Sequence, residues 1–98
     1  MSIPISSLPP DVVALCDELH RLHGTAERNR LQLCDNALHA LGYRWDWQPD
    51  GWIVHLVSPE QLPTEAWGVR AVAARFTAHE LAALVRRFPA ISRALAAP

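Results

Sequence analysis

Residues 43–57 read Tyr-Arg-Trp-Asp-Trp-Gln-Pro-Asp-Gly-Trp-Ile-Val-His-Leu-Val, and this stretch decides the predicted fold. It holds three of the four tryptophans of the chain and its one tyrosine. Pro49, Asp50 and Gly51 suit a tight turn, because Pro presets φ and Gly tolerates a positive φ. Aromatic and β-branched residues flank the turn on both sides, a pattern that is typical of strands. The stretch therefore predicts a β-hairpin.

The composition of the turn also predicts how the two strands pair. A three-residue connection with a bulge at Gly51 would place Gln48 opposite Trp52 and Trp45 opposite His55. Because side chains alternate along a strand, each face of the hairpin takes every second residue. One face is then predicted to hold Tyr43, Trp45, Trp47, Ile53, His55 and Val57. The other face is predicted to hold Arg44, Asp46, Gln48, Trp52, Val54 and Leu56.

A pair of antiparallel helices is predicted ahead of the hairpin. Apolar residues recur at helical spacing over 11–23 and again over 26–41. Gly24 and Gly42 follow these two segments, and glycine is the commonest residue just beyond a helix end. Thr25 precedes the second segment and suits its N-cap. The short joint between the two segments indicates an αα-hairpin.

The residues after the hairpin carry weaker signals as far as residue 75. Ser58 is predicted to cap a single helical turn that Pro63 ends. Thr64 is predicted to cap a further helix over 65–75. Val69, Ala71 and Ala73 fall on alternate positions, which leaves a third strand possible over 69–74, although the abundance of alanine favours a helix.

The C-terminal segment is predicted to be helical. Thr77 and Glu80 have the spacing of a capping box, in which each residue bonds the backbone N–H of the other. The helix that they begin is expected to run to about Arg87 and to end before Pro89. Apolar residues over 91–95 allow one last short helix.

These elements predict a single small α+β domain. A chain of 98 residues has room for one core. Residues 1–10 are predicted to form an extended leader and residues 11–98 the domain. No apolar run reaches the roughly 18–20 residues of a membrane span, and the N-terminal residues lack the pattern of a signal peptide. We therefore expect a cytoplasmic protein. All of its basic Lys or Arg residues are arginine and alanine is abundant, a composition that suggests a bacterial protein.

Catalytic and metal sites find little support in the residue pattern. Cys16, His20 and His23 lie along one helix face, and Cys34 could add a fourth zinc ligand. The cysteines, however, also fall on the apolar stripes of their helices, so we interpret them as buried free thiols. The chain has no nucleophile-elbow motif and no glycine-rich phosphate loop. We therefore predict no enzyme activity, no metal and no cofactor.

The aromatic hairpin predicts a protein-binding function. Trp, Tyr and Arg dominate the energetics of protein interfaces, and exposed aromatic surface usually marks a contact site. We predict a non-catalytic binding module, such as a small adaptor, inhibitor or immunity-type protein. Free strand edges also predict possible self-association as a homodimer. The predicted partner-binding residues are Arg44, Trp45, Asp46, Trp47, Trp52 and His55.

Nucleic-acid binding is the alternative function. The C-terminal part of the chain is rich in arginine, and its short helices could mimic a DNA-binding motif. The helix that begins near Ala78, however, opens without the Arg, Asn or Gln side chains that contact base edges. The candidate residues for this alternative are Arg70, Arg75, Arg86, Arg87 and Arg93.

Overall fold

The computed structural model of the chain describes residues 2–3, 7–49, 51–57 and 68–96 and confirms the α+β fold class. Its strands form a small sheet, and its helices form a layer against that sheet. In chain order the elements are β1 (Ser2–Ile3), α1 (Pro10–Leu22), α2 (Arg28–Ala40), β2 (Tyr43–Gln48), β3 (Gly51–Leu56), α3 (Val69–Ala73), α4 (Ala78–Arg87) and α5 (Pro89–Ala96).

The sheet has three antiparallel strands in the order β1-β3-β2. The predicted hairpin is confirmed as β2 and β3. The additional strand is β1, in which Ser2 pairs with His55 and Ile3 with Val54. Part of the segment predicted as a leader therefore belongs to the sheet. Over 69–74 the favoured helix is confirmed as α3 (Val69–Ala73), and the alternative of a third strand there was wrong.

The predicted register of the hairpin was wrong by one residue. Gln48 pairs with Gly51 and Trp45 pairs with Val54, so that two residues, not three, connect the strands. Gly51 adopts φ +139°, a conformation that side-chain-bearing residues rarely adopt, and it begins β3 instead of forming a bulge. A shift of one residue exchanges the faces of a strand. Val54, not His55, therefore shares a face with Trp45.

The helix ends at Gly24 and Gly42 are confirmed, but the predicted cap at Thr25 was wrong. Helix α2 begins later, at Arg28, and no side chain caps its N-terminus. The hydroxyl of Thr25 instead donates to the Leu22 carbonyl at the end of α1, at 2.7 Å. It also accepts a hydrogen bond from the backbone N–H of Glu27, at 3.3 Å. Thr25 thus stabilises the joint between the helices.

The core lies between the inner face of the sheet and the helices. Helix α5 packs against both α1 and α2, and α2 also contacts β2. From the sheet, Val54 is fully enclosed, and Tyr43 and Trp45 pack against the core from its margin. The largest side chains that are almost completely buried are Leu15, Leu22, Leu33, Leu38, Ile91, Val12, Val54, Cys16 and Cys34.

A buried carboxylate joins the first two helices. Glu18 in α1 is only 3% exposed. Its Oε1 accepts a hydrogen bond from Arg21 Nε at 2.6 Å, and its Oε2 lies 4.0 Å from an Arg30 terminal nitrogen in α2. A charge at this depth is tolerated only when it is paired. The approach of Arg30 to Glu18 therefore adds an electrostatic attraction between α2 and α1.

Two polar contacts attach the C-terminal helix to the rest of the fold. Arg93 donates two hydrogen bonds to the Asp11 carboxylate, at 2.7 and 3.0 Å, across 82 positions of sequence. Arg70 donates from Nε to the Leu95 carbonyl at 3.2 Å. Both contacts join residues that are distant in sequence. They hold α5 against α1 and against α3.

Of the two C-terminal helices, α4 agrees with its predicted boundaries. Thr77 and Glu80 form both bonds of the capping box, at 3.1 and 3.0 Å. Helix α5 is longer than predicted and begins at Pro89, because Pro suits the first position of a helix. The predicted turn at Ser58 and the cap at Thr64 lie outside the described residues. Among the helices that are described, none combines the length and apolarity needed to cross a membrane.

We expect Thr77→Ala to lower the free energy of unfolding by about 1 kcal/mol, because the first turn of α4 loses its cap. Thr77→Ser is the matched control, since it keeps the oxygen that accepts from Glu80. Urea denaturation followed by circular dichroism measures both variants. Equal stability of the Ala and Ser variants would contradict the prediction.

We expect the contact between Asp11 and Arg93 to stabilise the fold by less than about 1 kcal/mol, and only while Asp11 is ionised. Hydrogen bonding to Arg93 lowers the pKa of Asp11 below its ordinary value of 3.8. A carboxylate whose pKa is lower in the folded state than in the unfolded state stabilises the fold while it is ionised. This stabilisation is fully present above the pKa of the unfolded state, and it is lost as the pH falls through the pKa of the folded state.

The stability difference between the wild type and Asp11→Asn should therefore be present at neutral pH and vanish in acid. Urea titrations over that pH range measure it. Asp17→Asn, which removes an exposed carboxylate from the same helix, is the control. A difference that persists below the folded pKa of Asp11 would show that the ion pair is not its cause.

Candidate functional site

Three ionisable side chains meet on the solvent side of the hairpin. Arg44 lies opposite His55 across the strands, and Asp46 follows two residues later on the same face as Arg44. Asp46 Oδ2 accepts from Arg44 Nε at 3.1 Å and lies 3.0 Å from another Arg44 nitrogen. His55 Nε2 lies 3.0 Å from the same oxygen. We call Arg44, Asp46 and His55 the outer-face cluster.

The register explains why this cluster faces solvent. The helices pack on the other face of the sheet, where Val54 is 1% exposed and Trp45 packs against the core. Because side chains alternate along a strand, the neighbouring residues Arg44, Asp46 and His55 must then point away from the helices. Accordingly, the side chain of Arg44 is 53% exposed, whereas Asp46 and His55 are partly shielded by their mutual contacts.

An exposed apolar side chain lies at the end of the same hairpin. Leu56 is 62% exposed, and it is the residue that follows His55 in β3. An isolated exposed leucine is common on protein surfaces. Because side chains alternate along β3, Leu56 lies on the opposite face from His55, together with Val54. Its exposed apolar surface is therefore separate from the outer-face cluster.

The six predicted partner-binding residues do not form one surface. Arg44, Asp46 and His55 come together in the outer-face cluster. Trp45 lies on the opposite face, half-buried against the core. The backbones of Trp47 and Trp52 pair with each other, but their side chains lie outside the described part of the structure.

The five predicted nucleic-acid-binding arginines are dispersed over the helical layer. Arg93 contacts α1 and Arg70 contacts α5, so both are engaged within the fold. Arg86 and Arg87 are exposed in the last turn of α4, and Arg87 also lies over the Phe88 ring at 5.0 Å. Arg75 lies just beyond the end of α3 and borders a cavity at the joint between α1 and α2.

The helical layer includes two open cavities that are lined by described residues and lie away from the sheet. One, of about 310 Å³, is bordered by Arg28 and Arg75 together with polar side chains of the joint between α1 and α2. The other, of about 280 Å³, lies between Arg30 and α4, where His79 and Glu80 border it. Neither holds the nucleophile, base and positioning group that covalent catalysis requires.

The cysteines are placed as buried free thiols, as predicted. Burial raises the pKa of both Cys16 and Cys34 to about 12. Since the thiolate is the reactive species, both thiols are poor nucleophiles at neutral pH. Within the described ranges, no three His, Cys, Asp or Glu side chains come together in a way that could hold a metal ion.

Comparisons with known proteins found no family model, no curated protein and no solved structure that matches this chain. Function must therefore be inferred from the geometry of the chain itself.

The burial of the two thiols gives a direct test of the helical core. We expect native protein to react with a thiol reagent at neutral pH at least about a hundredfold more slowly than urea-unfolded protein, because Cys16 and Cys34 are both enclosed and protonated. Absorbance of the released chromophore measures the rate. Fast labelling of one thiol in the native state would show that its helix face is open to solvent.

Proposed function

We propose that this protein is a non-catalytic protein-binding module that acts by occupying the surface of another protein. The observation that carries the proposal is the outer-face cluster. Three charged or ionisable side chains are held in fixed positions on a face of the sheet that none of the described helices covers. A small adaptor, inhibitor or immunity-type protein uses a surface of this kind.

The hydrogen bonding of the cluster leaves specific groups for a partner. The contacts from Arg44 and His55 converge on Oδ2 of Asp46, so that Oδ1 has no partner among the described residues. One terminal nitrogen of the exposed Arg44 guanidinium likewise has no hydrogen-bond partner among the described residues. A partner that presents both a carboxylate and a donor would match this pair.

Preorganisation makes such a surface effective. A free arginine loses side-chain entropy when it is immobilised in an interface, and this loss weakens binding. Arg44 is already held by two nitrogens on Asp46. This preorganisation supports recognition of a protein surface by the outer-face cluster.

Nucleic-acid binding through the C-terminal arginines has less support. Two of the five candidates, Arg70 and Arg93, are engaged within the fold. The cluster on the sheet contains an acidic residue, Asp46, which phosphate groups would repel.

The proposal is tested by identifying a partner and then measuring its affinity. Wild-type protein is used to isolate partners from its native cells, and each purified candidate is titrated by calorimetry. Arg44→Ala and Asp46→Ala should each weaken binding by at least about tenfold, which corresponds to about 1.4 kcal/mol.

Arg86→Ala and Asp17→Ala are matched controls, because they remove exposed charges of the same types from α4 and α1, helices whose main contacts are with other helices. They should leave the affinity unchanged. A partner whose affinity responds to the control variants but not to the cluster variants would refute the proposal.

A further inference from the structure

The cavity at the joint between α1 and α2 brings together two arginines that are distant in sequence. Arg28 belongs to α2, and Arg75 follows the end of α3. Helices α2 and α3 pack against each other, so that both side chains border the same cavity of about 310 Å³. The backbone N–H of Arg75 donates to the Val72 carbonyl at 3.0 Å, and this turn fixes where the side chain of Arg75 begins. The tertiary fold therefore creates the arginine pair.

Neither arginine of this pair is neutralised by a carboxylate of the protein. Arg21, Arg44 and Arg93 each bind a carboxylate within the fold. Arg28 and Arg75, by contrast, make no hydrogen bond or ion pair within the described ranges, and both are exposed. None of the described residues that border the cavity is acidic. Two positive charges that face one cavity without a counter-charge attract an anion into it.

The remaining walls of the cavity suit the neutral part of a ligand. Gln32 lies four positions after Arg28 and therefore on the same face of α2. Its Nε2 donates to Asn36 Oδ1 at 2.7 Å, which holds the amide in place and leaves its Oε1 to accept from a ligand. The Asn29 amide also borders the cavity, and the half-buried Leu31 adds an apolar contact. Hydroxyl or amide groups beside the anion would thus find hydrogen-bonding partners.

A phosphomonoester has the charge and the shape that the two arginines require. It carries about two negative charges at neutral pH. A guanidinium donates two parallel N–H groups to phosphate oxygens, and two guanidiniums can bind different oxygens of one tetrahedral group. The cavity volume of about 310 Å³ is at the lower end of the range for small-molecule sites, which favours a metabolite over a polymer.

We propose that this cavity binds a small phosphomonoester, with the phosphate held between Arg28 and Arg75 and the neutral part of the ligand against Asn29 and Gln32. The site lies in the helical layer and goes beyond the protein-binding surface under "Proposed function", with which it shares no residue. Because its residues belong to α2 and to the end of α3, a bound ligand would join these two elements and stabilise the folded state.

Titration calorimetry at low ionic strength, where charges are least screened, tests the site. The probes are inorganic phosphate, glycerol phosphate and adenosine monophosphate. At least one of the two esters should bind more tightly than inorganic phosphate, because its neutral part contacts the amides. Arg28→Gln and Arg75→Gln should each weaken binding of that ester by at least about tenfold, since each removes one guanidinium.

Two further variants separate the charge of the site from the charge of the whole protein. Arg86→Gln removes an exposed arginine of α4 that borders neither cavity, and it should leave the affinity for the ester unchanged. Arg75→Lys keeps the positive charge without the planar fork, so it should retain more affinity than Arg75→Gln. Circular dichroism checks that each variant is folded. The ester should also raise the melting temperature of the wild type more than that of Arg75→Gln.

A dinucleoside phosphate distinguishes a small phosphomonoester from nucleic acid, because its one phosphate is a diester with a single charge. It should bind more weakly than adenosine monophosphate. Equal or tighter binding of the diester would overturn the proposed ligand class. Failure of all three phosphate probes to bind at concentrations up to about 10 mM, or an equal loss of affinity in Arg86→Gln, would overturn the site itself. The partner titrations with Arg44→Ala would be unaffected by either result.

Discussion

The length of the connection between β2 and β3 is the constraint on which the rest of the sheet depends. Because Gln48 pairs directly with Gly51, each residue of β2 is matched to a defined residue of β3. The match places Trp45 and Val54 together toward the helices and leaves the charged residues toward solvent. A connection one residue longer would have exchanged the faces of one strand and buried His55 in place of Val54.

Features governed by local chemistry could be predicted from the sequence. The capping box of Thr77 and Glu80 and the helix ends at Gly24 and Gly42 depend on a few neighbouring residues, and each was found where the pattern indicated. The β1 strand could not be predicted in this way, because two residues carry no periodicity and their partners lie some fifty positions away. The cap at Thr25 failed because its hydroxyl bonds the preceding helix instead.

The candidate site shows the same division between local and long-range information. The composition of the sequence alone identified the hairpin as unusual and predicted Arg44, Asp46 and His55, each separately, as partner-binding residues. Their convergence on one oxygen depends on the register, which the turn residues did not determine uniquely, since Gly51 suits both a bulge and the first position of a strand. The same error had placed His55 on the face of Trp45, whereas the two side chains lie on opposite faces of the sheet. Long-range packing, in which α2 covers one face of β2, makes that tryptophan part of the core boundary.

The hydrogen bonds from Arg93 to Asp11 affect when the chain can complete its fold during translation. Helix α5 contributes Ile91 and Ala94 to the interior and meets the first helix near its beginning. Until α5 has emerged from the ribosome, the nascent α1–α2 pair lacks part of its covering and exposes leucine side chains to water. Completion of the fold should therefore come late, and loss of α5 to a premature stop codon should leave a species prone to proteolysis.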